Sequence, residues 1–351
     1  VRRHLISDAP IGVFLSGGID SSLISLCSSK FLGENLNTLS IIFDEEGYSE
    51  KKFQDIIHKQ IGSKHSCFLL KEKDFLDSTE NIFSAMDQPT IDGINTYFIS
   101  KFARESGLKT VLSGIGGDEL FGGYPSFNRI NKIWYLNKVN KNFRKIFSVF
   151  DFIGNDKLKK LSYLSMKSPL NFYLLFRGIF NMRSICGILD LELNEVSNCI
   201  ENLVLQNTDL SGSKNCVSFL ESDIYMKNQL LRDTDFMSMS NSVEVRVPFL
   251  DQDLVRYVFS VDPKIKYKTD IQKFLLCNSF KDMIPKEIVN RKKQGFVFPF
   301  QIWIKNNIGF FTDMINDKNQ AVQKTIDSFQ NGNLNWPRFW SLVVLSQKTM
   351  I

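Results

Sequence analysis

Four short apolar runs separated by helix-patterned segments constrain the fold of this chain more than any other feature. They are "IGVFLSG" (11–17), "NTLSIIF" (37–43), "KHSCFLL" (64–70) and "KTVLSG" (109–114). A continuous apolar run of this length suits a strand buried on both faces, and strands that alternate with helices pack as a parallel sheet. The stretch "YSEKKFQDIIHKQIG" (48–62) predicts a helix with Ser49 as N-cap, with Phe53, Ile56 and Ile57 on one face and Gly62 as its stop. The stretch "INTYFISKFARESG" (94–107) predicts another, ending at Gly107. The fold class is therefore α/β, a doubly wound parallel sheet over 1–125.

Beyond Tyr124 the pattern changes. Aromatic-rich helical segments dominate ("INKIWYLNKVNKNFRKIF", "LNFYLLFRGIF"), strand signals nearly vanish, and "NTDLSGSKN" (207–215) reads as a loop. A helix-rich C-terminal half over 126–351 is expected. The opening "VRRHLISDAPIG" reads as the last turns of a helix running into a strand, which leads to the expectation of an upstream part missing from this chain.

The 351 residues, 43% hydrophobic and 23% charged, describe a soluble globular protein able to bury a large core. A net charge of +5 is mild, and "KLKK" (157–160) and "NRKKQ" (290–294) are too short for a nucleic-acid footprint. The six cysteines include no C-x-x-C pair, as expected of free thiols in a reducing compartment. No apolar run approaches the ~20 residues that cross a bilayer and no signal peptide opens the chain, so a cytoplasmic protein without nucleic-acid or membrane partners is expected.

The chemistry lies where strands end. In an open parallel sheet ligands sit beyond the carboxyl ends of the strands. There the first run continues into Ser16-Gly17-Gly18-Ile19-Asp20-Ser21-Ser22. Paired glycines let backbone N–H groups approach an anion, a helix start adds its positive end, and the hydroxyls add donors. No Lys follows the glycines and no G-x-G-x-x-G is present, so this is neither a Walker loop nor a dinucleotide fingerprint. A bare carboxylate would repel a polyphosphate, and Asp20 makes sense there only with a divalent cation between them. Taken alone, the same residues also read as a capped turn. A second copy of the logic, "VLSGIGGDELFGGY" (111–124), tips the balance, because two glycine-rich loops with acids at strand ends of one sheet could converge on one metal–phosphate site.

Together these motifs carry a resemblance. Ser-Gly-Gly-Ile-Asp-Ser resembles the pyrophosphate loop of ATP pyrophosphatases that adenylate a substrate, with an adenine nucleotide alpha hydrolase-like sheet. "LSGIGGDELFGGY", "MSMSNSVEVRVPFLD" (237–251), "QKFLL" (272–276), "IPKEIVNRKKQGFVFP" (284–299) and "RFWSLVVLSQ" (338–347) are similar to the synthetase domain of glutamine-hydrolysing asparagine synthases. The likeness covers almost the whole chain and implies an amide-forming ligase of two steps. A carboxylate, L-aspartate by family default, attacks the α-phosphorus of ATP to give an acyl-adenylate and pyrophosphate, and ammonia then displaces AMP. ATP and Mg²⁺ are the implied cofactors.

By motif match, Ser16, Gly17, Gly18, Asp20, Ser21 and Ser22 surround the pyrophosphate, and Asp20 and Asp118 hold Mg²⁺. Phe14, Leu15, Ile41, Ser113 and Gly114 frame the adenosine, and Lys273 reaches the α-phosphate as a mobile point charge. Catalysis is assigned to Lys273, Asp20 and Asp118. Glu119, Asp235 and Glu244 are candidates for the acceptor site, with Asp233 a further carboxylate on the acceptor or ammonia route. Glu244 reads first as the partner of Arg246 in a structural ion pair, and Met237 and Met239 as packing residues.

The sequence departs from the family in two places. Between Gly114 and Gly116 the family usually carries an acidic residue that assists the ammonia step, and here the position is Ile115, which transfers no proton. Gln88 stands where a Glu is common. The acceptor therefore stays open between aspartate and another carboxylate, such as a sugar uronate of surface polysaccharide synthesis. A scaffold that binds nucleotide without catalysis, and a tRNA-modifying ATP pyrophosphatase, are the competing readings. The family frees ammonia from glutamine with an N-terminal cysteine in an upstream glutaminase domain. The first cysteine here is Cys27, inside a predicted helix, so ammonia is expected from a glutaminase domain upstream or in trans. A homo-oligomer is compatible with all of this.

Overall fold

Five parallel strands form one sheet in the order β3-β2-β1-β4-β5, from β1 (Ile11–Phe14), β2 (Asn37–Ile42), β3 (Lys64–Leu69), β4 (Thr110–Leu112) and β5 (Glu244–Arg246). The computed structural model describes residues 1–133, 135–136, 143–152, 156–166, 170–202, 213–268, 271–291, 297–316 and 319–348. Much of the "NTDLSGSKN" loop, part of the first aromatic stretch and 292–296 of "IPKEIVNRKKQGFVFP" lie outside them. The four expected strands are the first four observed, each trimmed to its ladder-bonded residues. The fifth lies in "VEVRV", where three valines alternate with Glu244 and Arg246, a period-two signal inside the half where strand signals nearly vanish.

The strand order reverses direction between β1 and β4, which are neighbours in register Ile11 to Thr110. That is the switch point where loops on either side diverge and leave a crevice for a ligand. Helices α1 (Ile19–Leu32), α2 (Lys51–Ile61), α3 (Ile94–Glu105) and α4 (Gly117–Phe121) follow β1 to β4 in turn, and α5 (Leu231–Met239) and α6 (Phe274–Ser279) come later. The helix α2 begins one residue later than expected. Glu50 rather than Ser49 occupies its N-cap position, its carbonyl accepting from Phe53 N at 2.9 Å, and Gly62 closes it with φ +63°.

The chain divides into two compact units, Val1–Gly123 with Tyr225–Trp303, and Tyr124–Ile224 with Ile304–Ile351. Residues 225–303 thus join the sheet-bearing unit and supply β5. In that unit Ile11, Val13, Leu23 and Leu26 pack with Leu276, Ile284 and Ile288. A separate aromatic cluster joins Phe43, Phe75, Phe98, Phe298, Phe300 and Trp303, with centroids such as Phe43–Phe298 at 4.9 Å and Phe75–Phe300 at 5.1 Å. Each fully buried aromatic contributes about 2–3 kcal/mol of burial. The second unit is helical where described, and contains a stacked Phe329–Phe339 pair at 4.7 Å and an edge-on Phe311–Trp340 pair at 5.6 Å. Among the described residues no single helix is long and apolar enough to cross a membrane.

Candidate active site

The first loop is built by backbone economy. Gly17 has φ +76°, and a Cβ there would lie 2.8 Å from Phe53 Cβ and 3.1 Å from the backbone N of Gln54, so only glycine fits. Ser16 N–H donates to Ser21 Oγ at 3.2 Å, the two hydroxyls are 3.0 Å apart, and Ser16 Oγ accepts from Gly18 N at 3.3 Å. Gly18 occupies the N-cap position of α1 and offers no side-chain cap to its first-turn amides. Those amides and the macrodipole of a 14-residue helix leave this end rich in hydrogen-bond donors and electropositive.

The second loop closes on the first through its glycines. A Cβ on Gly114 would lie 2.8 Å from Asp20 Cβ and 2.9 Å from Ser21 N, and one on Gly117 would overlap the Asp20 carboxyl. Gly116 takes φ +96° and Gly122 φ +82°. The Asp118 carbonyl accepts from Gly122 N at 3.1 Å and Gly123 N at 2.9 Å, and a Cβ on Gly123 would overlap the Asp118 carboxyl and crowd Lys273 Cε at 2.5 Å. The glycine pattern therefore records close approach to two carboxylates as well as turn geometry.

Lys273 arrives from a third place. It precedes α6 in a left-handed conformation with φ +53°, uncommon for a residue with a side chain and costing about 1 kcal/mol. Its Nζ lies 2.7 Å from Asp118 Oδ1 and pairs also with Asp20 Oδ2, and the residue is 4% exposed. Burial alone would lower its pKa. The two carboxylates more than reverse that and hold it above the ordinary lysine value, so the group is an ammonium at any physiological pH.

The remaining predicted residues fall into two sets. Phe14 ends β1, Leu15 follows it, and Ile41 lies in β2. Leu15 and Ile41 are buried, the Leu15 carbonyl accepts from Ser40 Oγ at 2.5 Å, and the Ile41 carbonyl accepts from Gln54 Nε2 at 3.3 Å. Ser22 is buried in the first turn of α1, while Ser113 and Gly114 line the start of the second loop. Among the acceptor candidates, Glu119 is buried on α4 and Asp235 is exposed on α5. Glu244 sits on β5 with its carboxylate on Arg246, at 3.0 Å and 3.2 Å, and on the Thr110 hydroxyl at 3.4 Å. Arg246 in turn donates to the carbonyls of His4 and Ile6, so this pair ties the sheet edge to the N-terminal segment. Ile115 is half-buried. Met237 packs at 1% exposed, whereas Met239 is 53% exposed.

Asp233 is more deeply set than Asp235. Its Oδ2 accepts from Thr90 Oγ1 at 2.6 Å and its Oδ1 from Gln88 Nε2 at 3.1 Å. Burial pushes its carboxyl up to about 6 against these two hydrogen bonds. The Gln88 departure thus has a structural counterpart: the amide donates both to this carboxylate and to the Asn228 carbonyl at 2.9 Å. Arg291, which donates to the Gly17 carbonyl at 2.9 Å, escaped the sequence reading of the loop, and only its place in the "NRKKQGF" motif could have flagged it.

A parallel sheet whose switch point carries two glycine-rich acidic loops and a buried lysine is a doubly wound α/β fold of the kind that takes ligands beyond its strand ends. The asparagine synthase family profile matches residues 1–331, and the chain belongs to that family. It is 26% identical to glutamine-hydrolyzing asparagine synthetase 1 of Bacillus subtilis, over 98% of this chain and 56% of the relative. It is 28% identical to asparagine synthetase 3 of the same organism, over 84% of this chain and 46% of the relative, and 22% identical to the amidase chry2 of Gibberella zeae, over 86% and 51%. The chain spans about half the length of these curated relatives.

Proposed function

We propose that this chain is the synthetase part of an ATP-dependent amidotransferase that adenylates a carboxylate, with L-aspartate as the family default, and forms its amide with ammonia freed from glutamine elsewhere. The observation that carries the reading is the convergence of Asp20, Asp118 and Lys273 beside the amide-rich start of α1. In the first step an acceptor carboxylate oxygen attacks the α-phosphorus, the bond to the β-phosphate oxygen breaks, and pyrophosphate leaves. The loop amides and the hydroxyls of Ser16 and Ser21 receive its charge, and Lys273 supplies a fixed positive charge for the α-phosphate. In the second step ammonia attacks the acyl carbon, AMP departs and one proton is lost.

Asp20 and Asp118 fit a magnesium site. Two hard carboxylates from separate loops already share one cation, the lysine ammonium. Among the described residues no group of three or more His, Cys, Asp or Glu side chains is placed to hold a metal, so these two carboxylates would be the residues that hold it. Bound there, magnesium would neutralise the pyrophosphate leaving group.

A second acceptor class is favoured by Ile115. The loop position that would hold a proton acceptor for the ammonia step is aliphatic, and a carboxylate other than aspartate, such as a sugar uronate, is the second reading. Supplying MgATP and ammonium with aspartate and then with uronic acids decides between them. Pyrophosphate release that depends on one carboxylate names the acceptor, and no release with any carboxylate favours a scaffold. Asp20→Ala and Asp118→Ala each abolish release under this reading, and near-native turnover in either removes the metal assignment.

A further inference from the structure

A buried ion pair grips the first loop from behind. Arg291 and Glu50 have side chains 7% exposed each and pair through Arg291 Nη2 and Glu50 Oε1. The other terminal nitrogen, Nη1, donates to the Gly17 carbonyl at 2.9 Å, and the guanidinium lies 4.7 Å over the Phe53 ring. Glu50 holds the N-cap position of α2, and Phe53, in the first turn of that helix, is the residue whose Cβ would lie 2.8 Å from a Cβ on Gly17. One planar group thus ties together the α2 start, its aromatic side chain and the glycine hinge of the loop.

The geometry has a consequence for anion binding. In a trans peptide the C=O and N–H point in opposite directions. With the Gly17 carbonyl held by Arg291, the Gly18 N–H is turned away from it and meets Ser16 Oγ at 3.3 Å. Gly17 has no side chain to oppose a flip of that peptide, so its orientation rests on the hydrogen bonds at its two ends, from Arg291 to the carbonyl and from the N–H to Ser16 Oγ. A flipped peptide would put a carbonyl oxygen on the side that the N–H now faces, where it would repel an anion held by the loop.

We propose that Arg291, held by Glu50, is a positioning residue for the pyrophosphate loop, fixing the Gly17–Gly18 peptide so that the loop presents donors to the nucleotide. Arginine is required because its planar fork donates to two acceptors while stacking on a ring, and a lysine ammonium does not reproduce that. The inference rests on the nucleotide reading of the loop.

Its test compares the protein with R291K, R291A and E50Q by calorimetric binding of MgATP and of magnesium pyrophosphate, by thermal melting, and by pyrophosphate release with the carboxylate that supports turnover. Losing one charge-assisted hydrogen bond should weaken MgATP and pyrophosphate binding by R291K about tenfold or more. R291K should melt close to the parent, its KM for ATP should rise with the KM for the acceptor unchanged, and millimolar guanidinium should partly restore R291A. E50Q, which keeps an acceptor but loses the charge, should show a smaller loss of the same kind and covers the case in which the Arg291 variants fail to fold. R291K or E50Q that binds both ligands as tightly as the parent overturns the proposal, as does an R291A that loses only thermal stability. A parent protein that binds pyrophosphate yet turns over no carboxylate sinks the ligase reading while the binding comparison still judges Arg291; a parent that binds neither ligand sinks both.

Discussion

Lys273 Nζ lies 2.7 Å from Asp118 Oδ1 and also pairs with Asp20, a residue 253 positions away in sequence. Removing the ammonium leaves two carboxylates facing one another, a loss on the order of 3 kcal/mol for a buried pair deprived of its partner. K273M should therefore melt earlier than the parent and form no pyrophosphate. Millimolar Mg²⁺ should restore more of the lost melting temperature in K273M than it adds to the parent, because a divalent cation replaces the missing charge. If magnesium leaves K273M unmoved, the carboxylate pair does not hold the metal.

The glycines against the carboxylates make a separate prediction. G117A and G123A push a methyl into Asp20 and Asp118 respectively and should cost at least about a hundredfold in pyrophosphate release, as expected when catalytic groups shift by an ångström. Gly309, in the helix Ile308–Asp313 with nothing within 4 Å of its Cβ position, is the control. There G309A should stabilise by about 0.5–1 kcal/mol. Equal activity in G117A and the parent would falsify the close-approach account.

Asp233 should leave a mark on the pH dependence of stability. Its native carboxyl, raised by burial to about 6 from 3.8, binds its proton more tightly than the unfolded chain does. Its contribution is fully present below the unfolded value and is lost as pH rises through about 6, a change on the order of 2–3 kcal/mol. Urea titrations of the parent and D233N across that window should differ in slope, with the asparagine variant lacking the decline. Parallel profiles would mean that Asp233 is ionised at little cost.

Lys266 should be a stability liability. It is fully buried, its Nζ lies 3.5 Å from the Val258 carbonyl and 5.0 Å from the centre of the Tyr267 ring, and burial lowers its pKa to about 8. The folded state disfavours the ammonium, so stability should rise as pH climbs from about 8 towards 10.5. K266M, of similar length and without the charge, should gain on the order of 2 kcal/mol at pH 7 after allowance for the lost ring contact. Denaturant midpoints measure this directly, and a destabilised K266M would contradict it.

Much of the site was visible in the order of residue types. Strands β1, β2 and β4 announce themselves as apolar runs, because a strand buried on both faces must be continuously apolar, whereas β3 lies at the sheet edge with mostly exposed side chains. Asp20 and Asp118 stand out because each follows a glycine pair at a strand end, where local sequence already dictates a turn and a helix start. Lys273 was legible only through motif resemblance, since nothing near it says that it will be buried or take a left-handed backbone. Glu244 is the instructive intermediate case: its pairing with Arg246 is local and was readable, but its place beside Thr110 on the sheet edge was not.

By itself, then, the amino-acid order determined the parallel α/β class, the two glycine-rich loops and the acids they carry, because strand burial, helix starts and tight turns are settled within a few neighbouring residues. Tertiary structure alone decided that β5 joins the sheet from residue 244, that one ammonium unites Asp20 with Asp118, and that Arg291 holds the Gly17 carbonyl. Those relations join positions far apart in the chain. Charge and polarity advertise that a group needs a partner, but only the packed core determines which distant partner reaches it.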